Sequence, residues 1–383
     1  MLNILLYMKI FLLSHCFYFT GSSMFNDIKA TLLEGVQKGC YPGAVLLVAH
    51  GGSVVFLDAV GFRTLLPHTF PMDTDTFFDL ASLTKVLATT MCIMMLTDRG
   101  LFGLDQSIAD ILSQELPKDK REITPRMLLN HCSGLPSWRP FYLDLIMYPS
   151  VERKVLLRKW IIEQPLVYPP ASKTVYSDLG FMMLEWIIEV VSNKDMDELV
   201  LEDCVKDVSF SGGFFNDNGR PFPAGDMFAA TEKCRWRKRI LQGEVHDENA
   251  YALGGFAGHA GMFGRARDVY EIINLMRECF YGRRDDFISR DTVLEFFTRQ
   301  NIVKGSSWAL GWDTPSAKGS SAGRFISRNS VGHLGFTGTS VWMDLDRDVQ
   351  VILLTNRIHP NRSNEKIRLF RPMIHDMIMS QYL

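Results

Sequence analysis

The stretch Phe77-Phe78-Asp79-Leu80-Ala81-Ser82-Leu83-Thr84-Lys85-Val86-Leu87 decides how the rest of the chain is read. Phe77 to Ala81 is apolar and extended in character, whereas Val86 to Leu96, with Met91, Ile93, Met94 and Met95, reads as a buried helix. Ser82 therefore falls near a helix N-terminus, with Lys85 one turn further on the same face. A serine hydroxyl is a poor nucleophile at neutral pH unless a base takes its proton, and lysine can be that base only if burial or a nearby cation lowers its pKa. The unpaired N–H groups and positive dipole end of a helix start favour an oxyanion forming beside the serine. Two specified residues make a sparse motif: Ser363-Asn364-Glu365-Lys366 repeats the spacing in a charged stretch that reads as an exposed loop or helix start.

Outward from this stretch, periodicity gives an amphipathic helix over Phe25 to Gln37, with Ile28, Leu32, Leu33 and Val36 on one side. A hairpin follows, Gly43 to Ala49 and Ser53 to Val60, turning at Gly51-Gly52. Thr124-Pro125 starts a helix, Thr as N-cap and Pro at its first position, continuing over Arg126 to His131. Helical patterns dominate to about residue 205. Ser340 to Leu345 and Val349 to Thr355 read as strands across Asp346-Arg347-Asp348, and Lys366 to Tyr382 as a final helix. Strands at both ends around a helical middle imply an α+β fold: an antiparallel sheet flanked by helices, with a mostly helical lobe inserted. A cleft between the lobes is the natural site.

Composition fits an ordinary globular protein: of 383 residues, 22% are charged and 47% hydrophobic, enough for a large core. With a formal net charge of −2, no general basic field exists to favour nucleic acid. The run Lys233-Cys234-Arg235-Trp236-Arg237-Lys238-Arg239 reads as a solvated face. Seven scattered cysteines, without a Cys-x-x-Cys pair, argue against a disulfide framework or a zinc site and suggest a reduced, cytoplasmic setting. The apolar start, Leu2 to Phe19, is too broken by Lys9, Ser14 and His15 for a stable membrane span. It reads as a leader over residues 1–23, either a secretory signal ending before Met24, which would make the protein exported, or a segment upstream of a true start at Met24.

Two further constellations fall where such a cleft would use them. Tyr176-Ser177-Asp178 precedes the apolar helix Leu179 to Val191, and a phenol beside an ammonium can pass a proton between nucleophile and leaving group. The alternative is a half-buried tyrosine with Asp178 as helix cap. Gly332-His333-Leu334-Gly335-Phe336-Thr337-Gly338 stands just before a predicted strand; its glycines would let a substrate approach the backbone, and a strand-edge N–H would complete an oxyanion hole. The alternative is a Gly-rich lead into the strand.

Together, in this order, these residues resemble the serine β-lactamase and penicillin-binding protein superfamily, particularly its class C-like branch with esterases and D-amino-acid peptidases, over roughly residues 25 to 383. Ser82-x-x-Lys85 resembles the nucleophile motif, Tyr176-Ser177-Asp178 the Tyr-x-Asn motif, and His333-Leu334-Gly335 the Lys-Thr-Gly motif of the sheet edge. Met127 to Pro136 is similar to the family's Leu-Leu-x-His-x-Ser-Gly-Leu-Pro stretch. Val245 to Ala250 followed by Leu253 to Gly261 resembles a Gly-rich loop of the branch related to cell-wall peptide hydrolases. The resemblance implies a β-lactamase/transpeptidase-like domain over residues 24–383, its α/β lobe about 24–85 plus 265–383 and its helical lobe about 86–264.

It also implies roles. Ser82 would attack an acyl carbon, Lys85 would accept its proton, and Tyr176 would assist proton transfer. The N–H groups of Ser82 and Phe336 would hold the oxyanion, and Asp178, His333, Leu334 and Gly335 would meet substrate. Either Lys85 or Tyr176 remains eligible as the base. A covalent acyl-enzyme needs no metal or organic cofactor, and the implied partner is a small-molecule acyl substrate, with nothing implied about protein partners.

The departures bear on substrate. His333 would be mostly neutral and Leu334 has no hydroxyl, so strong β-lactam turnover is not expected. Asp178 in place of Asn adds a negative charge that would keep Lys85 protonated at rest and suit an ester or a neutral or cationic acyl donor. His246 and His259 match no zinc spacing and read as loop-structural. The expected activity is an esterase or amidase; the rivals are a cell-wall D,D-peptidase or D-aminopeptidase, a weak β-lactamase, and a sensor that kept the fold and lost turnover.

Overall fold

Six strands drawn from the two ends of the chain form one antiparallel sheet, ordered β3-β2-β1-β11-β10-β9. The computed structural model describes residues 25–214 and 225–383; the leader expected over residues 1–23 lies outside them. The sheet strands are β1 Gly43–His50, β2 Ser53–Thr64, β3 Phe70–Pro71, β9 Ser330–Leu334, β10 Ser340–Asp344 and β11 Val349–Thr355. Between them lie β4 Phe78–Asp79, β5 Gly213–Phe214 and β8 Met262–Gly264, which form a small second sheet, and the ribbon β6 Lys233–Cys234 with β7 Arg239–Ile240.

Strand β1 is apolar at nearly every position because both faces of the sheet are covered. Val45, Leu47 and Ala49 face the large core with Met91–Asp98 and Ala266–Phe280, while Ala44, Leu46 and Val48 face the core built with helix 25–37 and the C-terminal helix Ile367–Met379. The hairpin turns where the sequence places it, with Gly51 and Gly52 at φ 59° and 77°. Thr124 caps the helix Pro125–Leu129 by accepting the Met127 N–H, and the helix then ends two residues short of the expected His131, which adopts φ 56°.

Two local readings are corrected. The helix expected over Val86 to Leu96 runs as a widened π-type turn over Lys85–Thr90 into Met91–Asp98, a form frequent at functional sites. Gly332 and His333 lie within edge strand β9 rather than before it. Gly332 is opposite the buried Trp342, and a Cβ there would come within 2.3 Å of the indole, so the glycine is a seat for that ring and not a strand breaker.

The six described cysteines are buried and free. The basic run near 235 is partly absorbed internally, Arg237 and Arg239 both pairing with Glu244. Among the described residues no helix is long and apolar enough to cross a membrane.

Candidate active site

Ser82 sits in a single 3₁₀ turn, Ala81–Leu83, just past the short strand β4. The turn is held from several sides. Ala81, at φ 48°, donates its N–H to Asp79 Oδ1 at 2.8 Å, and Thr84 Oγ1 donates to the Ala81 carbonyl at 2.6 Å. Thr337 and Thr339 donate their hydroxyls to the carbonyls of Asp79 and Leu80 at 2.8 and 3.1 Å, tying the nucleophile turn to the loop between β9 and β10. Gly335 permits this closeness: a Cβ there would fall 1.9 Å from Thr339 Oγ1 and 2.6 Å from the Leu80 carbonyl oxygen.

Lys85 is fully buried and its ammonium is surrounded by acceptors. Nζ lies 3.1 Å from Ser82 Oγ, 3.0 Å from the His259 carbonyl oxygen and 2.7 Å from Asp178 Oδ1. Lys85 Nζ also lies 4.9 Å from the centroid of the Tyr176 ring, and the phenol interacts electrostatically with Lys85. Burial alone would lower the lysine's pKa, but the Asp178 carboxylate and Tyr176 outweigh it and the net shift is upward. Burial also raises the Tyr176 phenol, only partly countered by Lys85. At rest, therefore, the site holds an ammonium and a neutral phenol.

Asp178 does not cap the helix Asp178–Ser192. Ser177 does, accepting the Gly180 N–H, which leaves the Asp178 carboxylate to meet Lys85. The preceding segment is fixed by residues from the Met127–Pro136 stretch and just beyond it. His131 Nδ1 accepts the Ser177 N–H at 3.1 Å, and its ring lies 4.5 Å from that of Tyr176. Ser177 Oγ donates to the Pro136 carbonyl, and the Asp178 N–H to the Ser137 carbonyl. Burial and the neighbouring Lys85 push the His131 pKa far down, so the ring is a neutral acceptor here. The sequence assigns His131 no task; its place two residues before the Ser-Gly-Leu-Pro run is the available signal.

At the edge strand, His333 is buried and its pKa is lowered to about 3 by burial and by Lys85, so it is neutral. Leu334 and Gly335 line the cleft beside it. Phe336 lies in the turn beyond β9, not on a strand edge; the residue is 47% exposed, and its N–H takes no hydrogen-bonding partner among the described residues. The Ser82 N–H is likewise unengaged there, so these two donors beside the serine are available to an oxyanion.

The cleft extends on both sides of Ser82. One part, ≈ 300 Å³, is lined by Trp138, Tyr176, Asp178, Asp247, His259 and Arg362; the other, ≈ 350 Å³, by Trp308, His333, Leu334, Arg357, Arg368 and Arg371. The arginines of the second part were not foreseen; they line the part of the cleft that Asp178, the basis for expecting a neutral or cationic acyl donor, does not. His259 and His246 are structural in the first part: His259 Nε2 is 2.9 Å from Asp247 Oδ1 and His246 Nε2 is 3.3 Å from Glu232 Oε2. The His259 pKa is raised, Asp247 overcoming the opposing burial. Among the described residues no group of three or more His, Cys, Asp or Glu is placed to hold a metal ion.

A family model described as Beta-lactamase matches residues 28–371. The N-acetylmuramyl-L-alanine amidase of Bacillus subtilis (strain 168) is 32% identical over 347 residues, covering 83% of this chain and 78% of that protein. A putative D-alanyl-D-alanine carboxypeptidase of Salmonella gallinarum is 29% identical over 356 residues, 85% of this chain and 81% of that one. Among solved structures, EstCE1, described as a hydrolase with promiscuous acyltransferase activity, gives a TM-score of 0.71 at 19% identity, covering 92% of this chain and 100% of that chain. The octameric penicillin-binding protein homologue from Pyrococcus abyssi gives 0.69 at 18% identity, covering 93% and 77%. At these identities the structural likeness concerns the fold alone.

Proposed function

The chain belongs to the beta-lactamase family, and from that premise we propose that it hydrolyses an amide or ester bond through a covalent acyl-enzyme on Ser82. The observation that carries the reading is the 3.1 Å contact between Ser82 Oγ and the buried Lys85 ammonium at the floor of an open cleft. In the fraction of molecules in which Lys85 or Tyr176 has given up its proton, Ser82 Oγ attacks the acyl carbon and passes its own proton to that group, which then delivers it to the leaving group. The N–H groups of Ser82 and Phe336 receive the oxyanion. Water then attacks the acyl-enzyme by the reverse route, releasing acid and regenerating the serine.

An amide of the muropeptide type is the first substrate to test. The identity to the Bacillus subtilis amidase supports it, and the neutral His333 with the hydroxyl-free Leu334 disfavours a β-lactam. The test pairs wild type with Ser82→Ala on an N-acetylmuramyl-L-alanyl peptide, a short p-nitrophenyl ester and a chromogenic cephalosporin, with a fluorophosphonate to label the nucleophile. Amide and ester turnover with labelling, all lost in Ser82→Ala, is the expected result. Turnover that persists in Ser82→Ala removes this serine from the mechanism, and labelling without turnover of any substrate points to a sensor.

A further inference from the structure

Arg371, on the C-terminal helix Ile367–Met379, is only 4% exposed. Yet among the described residues no carboxylate, carbonyl or hydroxyl accepts from its guanidinium, and its Nε is sealed without a partner. Arg357, which acts on it electrostatically, is of like sign. Arg357 is committed to the backbone, donating to the Phe336 and Asn364 carbonyls. Burial and Arg357 together push the Arg371 pKa down to about 10, leaving it still cationic at neutral pH. His375, one turn on, does not compensate: burial and Arg371 lower its pKa to about 3.

The nearby acids are already engaged. Asp376 pairs with Arg324 at 2.8 Å and Glu365 with Arg368 at 3.1 Å. Asp313 is held by Ser307 Oγ and the Thr314 N–H. A buried guanidinium without a counterion is costly and uncommon unless a ligand supplies the missing charge. Position indicates which ligand. Arg371 lines the Ser82 cleft and also a neighbouring groove of ≈ 1580 Å³, the two sharing Leu334 and Arg368, and the groove is rimmed by Arg299 and Arg328.

We propose that Arg371 anchors an anion subsite: the part of the substrate on the β9 side of Ser82 carries a carboxylate or phosphate that pairs with this guanidinium, and the groove beyond holds the rest of an anionic chain. A planar guanidinium fork suits either oxyanion. The inference rests on the Ser82 cleft being the substrate site and specifies what kind of acyl compound enters it.

The test reads binding without turnover. The full chain is titrated with glutarate, with its neutral analogue glutaramide and with inorganic phosphate, following melting temperature and the rate of fluorophosphonate labelling. Glutarate or phosphate is expected to raise the melting temperature and slow labelling, and glutaramide to do neither; whichever anion acts at lower concentration identifies the group. Arg371→Met should need about ten- to hundredfold more anion for the same effect, the worth of a charged hydrogen-bonded pair, and Arg371→Lys an intermediate amount. Without ligand, Arg371→Met should melt no lower than wild type, since it removes an unpaired buried charge. Equal effects of glutarate and glutaramide, no effect of either anion, or an anion response unchanged in Arg371→Met would overturn the proposal. Should Ser82 resist the phosphonate, the melting arm still reads the subsite, so failure of the catalytic reading is told apart from failure of this one.

Discussion

On the side of the cleft built from residues 246–260, each carboxylate has a basic partner. Asp178 meets Lys85 at 2.7 Å, Asp247 meets His259 at 2.9 Å, and Glu248 meets Arg362 at 2.7 Å, with Arg362 also paired to Glu232. On the side built from β9 and the C-terminal helix, Arg357 is satisfied by backbone carbonyls and Arg371 by nothing among the described residues. The first wall is a frame whose charges fix one another and hold the reacting groups at stated distances; the second leaves a charge unmatched where substrate would lie. On the reading proposed above, groups fixed for catalysis and a group left free for recognition occupy opposite sides of one serine.

The contrast is broken most severely at its centre. Lys85→Met removes the proton carrier and strands Asp178, so kcat/KM should fall by about a thousandfold or more, within the range for loss of a general acid–base. Denaturation should show a loss of about 3 kcal/mol for the orphaned partner. The double variant Lys85→Met/Asp178→Asn should regain much of that stability and none of the rate. Full recovery of both would mean that the paired wall has no catalytic task.

Next comes the His259–Asp247 pair, where the loss is of stability. Asp247 has its pKa lowered, His259 overcoming burial, so its contribution is complete above 3.8 and fades as pH falls through the lower folded value. His259 has its pKa raised, so its contribution is complete below 6.5 and fades as pH rises through the higher folded value. The pair therefore stabilises most between 3.8 and 6.5. Asp247→Asn should cost about 3 kcal/mol in that window, as for a broken buried pair, and progressively less toward alkaline pH. Chemical denaturation at pH 5.5 and at pH 9 checks it; an equal loss at both would show that the helix cap Asp247 gives Ala250, and not the ion pair, is what matters.

Much of this frame was legible in the sequence, and the reasons are local. The β1–β2 hairpin, the paired strands β10 and β11, the terminal helix and the helix after Tyr176 each carry their own periodicity and turn residues. The fold class, an antiparallel sheet closed by strands from both termini, followed from them. What was hidden depends on contacts between distant segments. Ser177 and Asp178 are equally good N-caps by propensity; the choice is made by Lys85, over ninety positions away, which draws Asp178 off the helix end. Gly332 looks like punctuation until Trp342 is seen against it. Arg371 has the sequence context of a solvated helix arginine, Arg368 and Asp376 standing near it, and only the packing of the helix under β11 and the 357–366 loop shows that it faces the cleft.

The smallest effect separates the two walls most cleanly. Asp178→Asn keeps the shape of the side chain and removes its charge, taking away the main influence that holds the Lys85 pKa up, while burial, which pushes it down, stays. Lys85 should then lose its proton at lower pH, and the rising limb of the kcat/KM profile should move toward acid by about one pH unit or more, as for loss of an opposite charge in contact. The plateau rate should change less than in Lys85→Met. Arg371→Met, on the other wall, should leave that limb in place, because no contact links its guanidinium to Lys85, and should alter KM for an anionic substrate instead. A limb that stays put in Asp178→Asn while the plateau collapses would make Asp178 a direct proton acceptor instead of the group that sets Lys85. A limb that moves in Arg371→Met would show that the two walls share one electrostatic field, and the division between frame and recognition surface would fail.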